Sequence, residues 1–334
     1  MTRRPADVPD RPQSQPMDAL SDVLRAVRLT GALFFDILAS APWVAETPAG
    51  ETVVGAMFPG SEHLISYHVI IEGSGWAEVP GEAPMRLAAG DVIVLPHGDT
   101  HVLASEPGLR RAPELSLYRQ PVDGRLPVRL SMGEESGEPT RIVCGFLGCD
   151  ARPFNPLLTA LPRVFRVSDS DGGTLCAYMR FALAESHEDR IGSEGVLGRL
   201  SELMFVDAVR RYLETLPPER TDWLAALRDR YIGRALGALH RQPGRDWTLD
   251  ALARDVGLSR SALAERFTAF VGMPPMRYLT DWRMQLAANQ LLTGSENVAV
   301  IAHRVGYESE AAFSRVFKKR TGASPTAWRR RGDE

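Results

Sequence analysis

Lysine is almost missing from this chain of 334 residues: of 39 basic residues only Lys318 and Lys319 are not arginine, and the two adjoin near the C-terminus. That excludes a lysine-rich polyelectrolyte tail. Cysteine is scarce as well, and Cys144, Cys149 and Cys176 are too few and too odd in number for a disulfide framework, so they read as thiols in a reducing compartment. No run of eighteen apolar residues occurs, which excludes a membrane-spanning helix and a membrane partner. The opening MTRRPADVPDRPQSQP lacks the apolar stretch of a secretory signal. A cytoplasmic protein is expected, with residues 1–16 disordered because they are polar and Pro-rich.

What is present suffices for two packed domains, since 44% of the residues are hydrophobic. The net charge of -3 conceals an asymmetry. Residues 235–334 hold 15 Arg and Lys against 10 Asp and Glu, whereas residues 1–234 hold 24 against 32. A basic C-terminal third beside an acidic remainder suits a module that touches a polyanion joined to one that does not.

Texture divides the chain in the same way. MDALSDVLRAVRL, from Met17, has the apolar spacing of a short amphipathic helix. From about Phe34 to Phe181, short β-rich runs (ISYHVIIEG, GWAEV, DVIVL, RIVCGFL) alternate with Gly and Pro, as in a small sandwich or barrel. VDGRLPVRLSMGEESGEPT reads as a long polar connection or a hairpin. From Ser193 to Leu216 a helical pattern places Val196, Leu200, Leu203, Met204 and Val209 on one side, a stripe that the barrel, a later helix or a second subunit must cover. Pro217 and Pro218 end it.

The C-terminal third repeats itself. LARDVGLSRSALAERFTAFVGMPP and, about fifty residues later, IAHRVGYESEAAFSRVFKKRTGASP align Val256-Gly257 with Val305-Gly306, and Leu263, Phe267, Gly272 and Pro275 with Phe313, Phe317, Gly322 and Pro325; Glu308 is extra in the second copy. Each copy has a short apolar helix, a Gly for a sharp turn, a capping Ser and a second helix with two apolar residues four apart, which describes a helix-turn-helix. Thr248 and Ser259 are the expected caps of the first copy. The faces left free would carry Arg260, Ser261, Ala264 and Glu265 in one copy, and Glu310, Ala311, Ser314, Arg315, Lys318 and Lys319 in the other. Such helices fit the DNA major groove, where Arg bonds guanine, Glu accepts from cytosine and Ala touches a thymine methyl. PMRYLTDWRMQLAANQLL, from Pro275, would join the copies as a rigid helix and hold them roughly 34 Å apart, one helical turn of duplex.

These residues resemble the AraC/XylS-type DNA-binding domain over roughly residues 233–331, with helix-turn-helix motifs at about 249–270 and 298–320; Gly322, Pro325 and Trp328 sit where that signature closes. The resemblance implies a sequence-specific transcription regulator that binds promoter DNA and works with RNA polymerase. One departure stands out, because the first reading face lacks the large polar or aromatic side chains that some members present.

GDVIVLPHGDTH, from Gly90 to His101, resembles the second cupin motif (Gly-x5-Pro-x-Gly-x2-His), and SYHVIIEGSGW resembles the end of the first. The expected fold class is therefore α+β: a cupin-like β-barrel over residues 17–185 that senses a small-molecule effector, a helical connector over 186–232 that supports a homodimer, and an all-α tandem helix-turn-helix domain. If His68 points inward, so do Ser66 and Ile70, and Ser66 stands where the motif would carry a Glu; His63 lies on the other strand face. His68 and His101, joined by Cys144 or Cys149, would suit zinc, but the two cysteines are five apart and converge only if a bulge at Gly145 or Gly148 intervenes. Otherwise Tyr67, His68, Trp76 and His101 are the effector-site candidates, with Trp43 beside them as pocket or plain core, and an exposed thiol would permit redox sensing. The rival reading is a metal-dependent cupin enzyme with a helical appendage, against which the missing first-motif ligands argue.

Overall fold

The computed structural model describes residues 19–121, 126–134, 137–168, 173–187 and 191–331, so the expectation for residues 1–16 lies outside the described residues. Helix α1 (Ala19–Ala26) is the amphipathic helix read from Met17, and it buries Ala19, Leu20, Val23 and Ala26. The strands are β1 (Thr30–Ser40), β2 (Val44–Thr47), β3 (His63–Glu72), β4 (Ser74–Glu78), β5 (Met85–Ala88), β6 (Asp91–Leu95), β7 (His101–Ala104), β8 (Val128–Gly133), β9 (Pro139–Cys149) and β10 (Phe165–Ser168). Helix α2 (Gly50–Met57) lies between β2 and β3, and α3 (Pro156–Ala160) precedes β10.

The expected barrel does not close. The strands form two separate sheets, six strands in the order β10-β6-β3-β9-β1-β8 and four in the order β2-β7-β4-β5. No pairing links the sheets among the described residues. The N-terminal domain is thus mixed α/β with two stacked sheets, and the α+β barrel assignment is corrected accordingly. Short alternating runs with Gly and Pro turns are equally the signature of either arrangement, so the pattern alone did not choose between them. β8 arises inside the segment read as a polar connection and pairs parallel to β1, extending the larger sheet at one edge.

Both faces of the larger sheet are covered, which explains why β3 and β9 read as nearly continuous apolar runs. One face packs against the small sheet through Ile37, Ile70, Leu87, Ile93, Ile142 and Phe146. The other carries Tyr67, Val69, Val143 and Leu147 and is covered by helices. These are α4 (Thr174–His187) and α5 (Ser193–Thr215) together with α1 and α3. α5 comes so close to β1 that a Cβ on Gly31 would stand 2.9 Å from the Gly198 carbonyl oxygen. Its buried side is Leu197, Ser201, Met204, Phe205, Ala208 and Val209, so of the expected stripe Met204 and Val209 are buried, Leu200 is half-buried, and Val196 and Leu203 stay exposed. Tyr67 locks this packing: its hydroxyl donates to Ser201 Oγ at 2.9 Å, and Ser201 donates to the Ala32 carbonyl at 3.2 Å.

The C-terminal region is helical throughout: α6 (Trp223–Arg228), α7 (Ile232–Arg241), α8 (Leu249–Val256), α9 (Arg260–Val271), α10 (Pro275–Thr293), α11 (Val298–Arg304), α12 (Glu310–Thr321) and α13 (Pro325–Arg330). α8 with α9, and α11 with α12, are the two copies of the repeat. Their cores differ in ownership. Leu252, Val256, Leu263 and Phe267 belong to the same hydrophobic cluster as the helix-covered face of the large sheet, along with Tyr278 and Trp282 of α10. Met284, Leu291, Ile301, Val305, Phe313, Phe317 and Trp328 form a separate core for the second copy.

Between these halves of α10 sits Gln285, fully buried. Its amide donates to the Ala26 carbonyl at the end of α1 (3.1 Å) and accepts from the Phe154 N–H ahead of α3 (3.0 Å). Asn289, one turn on, also donates to Ala26 (3.3 Å). Replacing Gln285 by Leu keeps the volume, strands the Phe154 N–H and leaves the Ala26 carbonyl to Asn289 alone, and a buried unpaired polar group costs about 1–3 kcal/mol. Gln285→Leu is expected to lower stability by about 2 kcal/mol, read as a fall in the urea midpoint; a change below about 0.5 kcal/mol would show that these bonds do not hold the two regions together.

Candidate nucleic-acid interface and sensor cavity

The two reading helices are built by the same local chemistry. Ser259 Oγ accepts from the Ala262 N–H and Ser309 Oγ from the Ala312 N–H, each at 3.2 Å, so each second helix starts at its capping Ser. Thr248 caps α8 through the Ala251 N–H at 3.1 Å. Gly257 and Gly306 take φ of 80° and 87°, the left-handed turn that a side chain would strain. With Leu263 and Phe267 buried, α9 leaves Arg260, Ser261 and Glu265 exposed and Ala264 half-buried. With Phe313 and Phe317 buried, α12 leaves Glu310, Ala311, Arg315, Lys318 and Lys319 exposed and Ser314 half-buried.

Neighbouring arginines are committed elsewhere: Arg266 is bonded to Asp229, and Arg320 lies 3.1 Å from Asp281. Arg260 is 3.6 Å from Asp250, but both are exposed, so the pair is screened and weak.

Between the two sheets lies a cavity of about 190 Å³. Phe35, Tyr118 and Phe146 line it edge to face, with ring centroids 5.4–6.1 Å apart. Leu103, Leu130, Met132, His68 and Cys144 continue the wall, and the exposed Arg111 and Glu114 stand with Glu46 on its polar side. Burial pushes the Tyr118 phenol up to about 12, so it is a neutral donor.

Of the four effector-site candidates only His68 lines this space. His101 is buried behind it, with the two Nε2 atoms 2.6 Å apart. Tyr67 faces the helices on the opposite side of the sheet, and Trp76, next to the core residue Ala77 on β4, points the other way. Trp43 is buried in the core between the sheets and is not part of the lining.

A cupin family model matches residues 18–214, more than half of the chain, and a helix-turn-helix domain model matches residues 252–331. A Streptomyces lividans protein described as an AraC-like transcription regulator is 32% identical over 323 residues, which is 94% of this chain and 98% of that protein. The chain belongs to the AraC/XylS family. The regulator AlkR of Acinetobacter baylyi is 26% identical over 94% of this chain and 99% of its own length, and the activator RclR of Escherichia coli K12, named as RCS-specific, is 27% identical over 94% and 98%.

As a member of that family the chain is a sequence-specific DNA-binding transcription regulator, a class without catalytic activity, with a sensor-like cupin domain ahead of its helix-turn-helix region. No helix among the described residues is long and apolar enough to cross a membrane.

Zinc does not fit this AraC/XylS member's sensor domain. β9 keeps an unbroken register with β3 from His63 opposite Cys149 to His68 opposite Cys144, so the bulge needed to bring the cysteines together is absent. Cys144 faces the cavity side and Cys149 the helix side. No group of three or more His, Cys, Asp or Glu converges among the described residues. Cavity residues that the sequence reading missed, such as Phe35, Tyr118 and Met132, belong to no motif, and Tyr118 follows a short 3-10 turn whose place over the sheet edge no periodicity announces.

The thiols also run against redox sensing. Burial raises the pKa of Cys144 and of Cys149, with Asp36 and Asp150 adding to it respectively, whereas a sensing thiol needs a lowered pKa and access. Cys176 is partly exposed on α4. A maleimide is expected to label Cys176 of the native protein and spare the other two until denaturant is added; mass mapping that finds Cys144 labelled as fast as Cys176 would contradict this.

Proposed function

We propose that residues 233–331 read two successive major grooves of promoter DNA, that residues 17–185 sense a small molecule, and that residues 186–232 connect them and support a homodimer in the cytoplasm. The observation that carries the DNA reading is the pair of Ser-capped helices, α9 and α12, each with its apolar side buried and its polar side exposed. α10 has 19 residues, about 28 Å of helix at 1.5 Å per residue, a beam comparable to the ~34 Å turn of the duplex.

Arg260, Ser261, Ala264 and Glu265 are the base-reading set of the first unit. Glu310, Ala311, Ser314 and Arg315 are that of the second, and Lys318 and Lys319, the chain's two lysines, contact phosphate. Charge attraction to phosphates supplies affinity without sequence information, while the arginine forks and Glu265 supply choice. Self-association is supported by Phe181 on α4 and Val196 and Leu203 on α5, exposed apolar residues on adjacent helices. RNA polymerase is the downstream partner, as expected of a regulator placed on a promoter; RclR, named as an activator, supports activation as the outcome.

The test is fluorescence anisotropy on DNA from the chain's own upstream region, with a salt titration. Arg315→Ala is expected to relax preference at one or two base pairs by about 1–3 kcal/mol. Lys318→Ala should weaken all duplexes alike and reduce the salt slope by about one. Equal loss on every sequence for both variants would move Arg315 from base to phosphate.

A further inference from the structure

The sensor cavity contains a directional hydrogen-bond chain that ends unsatisfied. His101 Nδ1 lies 2.8 Å from the Asp99 carbonyl oxygen, which can only accept, so that nitrogen bears the proton. Both imidazoles are neutral, since burial lowers His101 to about 4 and lowers His68 well below the ordinary histidine value, with the neighbouring His101 adding to the effect on His68. A neutral His101 protonated at Nδ1 has a bare Nε2, so the 2.6 Å contact requires His68 Nε2 to donate. His68 Nδ1 is then left as a lone pair. It is buried and has no partner among the described residues. His68 lines the cavity and His101 does not.

The remaining surroundings select the rest of the ligand. An apolar cavity of about 150 Å³ holds a benzene ring, so one of about 190 Å³ has room for a ring with one or two further atoms. Phe35, Tyr118 and Phe146 present a rigid edge-to-face wall for such a ring. Two carboxylates, Glu46 and Glu114, against one guanidinium, Arg111, on the polar side disfavour an anion.

We propose that this cavity takes an uncharged, ring-sized molecule bearing one hydroxyl or N–H donor, which His68 Nδ1 accepts, and that it discriminates against carboxylates. The proposal rests on the reading of the N-terminal domain as a small-molecule sensor and names the chemistry of what it senses. A donor satisfies the orphaned lone pair; a carboxylate at neutral pH brings only acceptors to it, and an isosteric hydrocarbon leaves it as it was.

The experiment uses the full chain with p-cresol, p-xylene and 4-methylbenzoate as probes, in isothermal titration and with nitrogen NMR of the imidazoles. p-Xylene matches p-cresol in shape, with a methyl in place of the hydroxyl. p-Cresol is expected to bind about tenfold more tightly than p-xylene and to shift His68 Nδ1 away from its bare-nitrogen resonance, with no binding of 4-methylbenzoate. His68→Phe should erase the preference while p-xylene still binds. Should that variant not fold, the nitrogen shift in the unmodified protein decides the matter alone. Equal binding of cresol and xylene, or tighter binding of the benzoate, overturns the donor requirement and leaves the sensor reading standing. Binding of none of the three at millimolar concentration overturns both, because the cavity is then not a small-molecule site of this size.

Discussion

The arrangement depends on one helix belonging to two cores. α10 gives Tyr278 and Trp282 to the cluster that runs through the sensor, and Met284, Ala288 and Leu291 to the core of the second reading unit. Packed interiors have two good arrangements or one, and are not continuously deformable, so a helix shared in this way fixes both units at once. Gln285 stands at the crossing point, with one end of its amide on α1 and the other on the segment leaving β9. Nearby, Trp223 Nε1 donates to the Tyr278 hydroxyl at 3.0 Å, and His240 Nε2 lies 2.8 Å from the same oxygen with its ring stacked on Trp282 at 4.1 Å. Satisfied polar groups in a low-dielectric interior specify one geometry, because any other leaves them unpaired.

That sharing makes the two reading units unequal despite their common grammar. The first is fused to the sensor through a continuous apolar cluster, whereas the second folds around its own residues and meets the sensor through surface contacts such as Arg331 and Glu62, 3.7 Å apart. A surface pair of that kind contributes little against water and salt. The first unit's orientation is therefore set by burial and the second's by the stiffness of α10. Duplication in sequence has not produced duplication in attachment.

Legibility followed the same physics. Caps, turns and the apolar pair four apart are local rules, so Ser259, Gly257, Leu263 and Phe267 could be placed from sequence, and each lies where those rules put it. The strands read from ISYHVIIEG, DVIVL and RIVCGFL are likewise β3, β6 and β9. What failed was non-local. Whether ten strands close into a barrel or stack as two sheets depends on edge pairings between residues far apart in sequence, and β8, a six-residue strand in polar company, gave no signal of its parallel partner β1. On α5 Met204 and Val209 are buried as read but Val196 and Leu203 are not, because its partner surface, with Tyr67 and the Gly31 approach, could not be known from the helix alone. The effector candidates scattered for a similar reason: alternation placed His68 on one face and Tyr67 on the other, but not which face had room beside it.

β9 ties these layers together. Its Cys144 lines the cavity, the opposite face of the strand carries Val143 and Leu147 into the helix-covered core, and the chain beyond Cys149 runs through Asp150, bonded to Arg28 at 2.6 Å and 2.8 Å, to Phe154 and the Gln285 amide. The cavity wall and the shared helix are thus joined by one strand and a short segment hydrogen-bonded at Asp150 and Phe154. Proximity of this kind is not yet coupling. An effector shifts the equilibrium between two arrangements only by the difference in its affinity for them. For the proposed effector to act, the cavity's shape must differ between the DNA-competent arrangement and its alternative. His68 is flanked by Phe146, with ring centroids 6.2 Å apart, and by His101, hydrogen-bonded behind it, while β8 and Tyr118 supply another part of the wall. Tyr118 is buried among Phe35 and Phe146 and follows a short 3-10 turn rather than lying on a paired strand, so its place in the wall rests on packing and not on a sheet ladder.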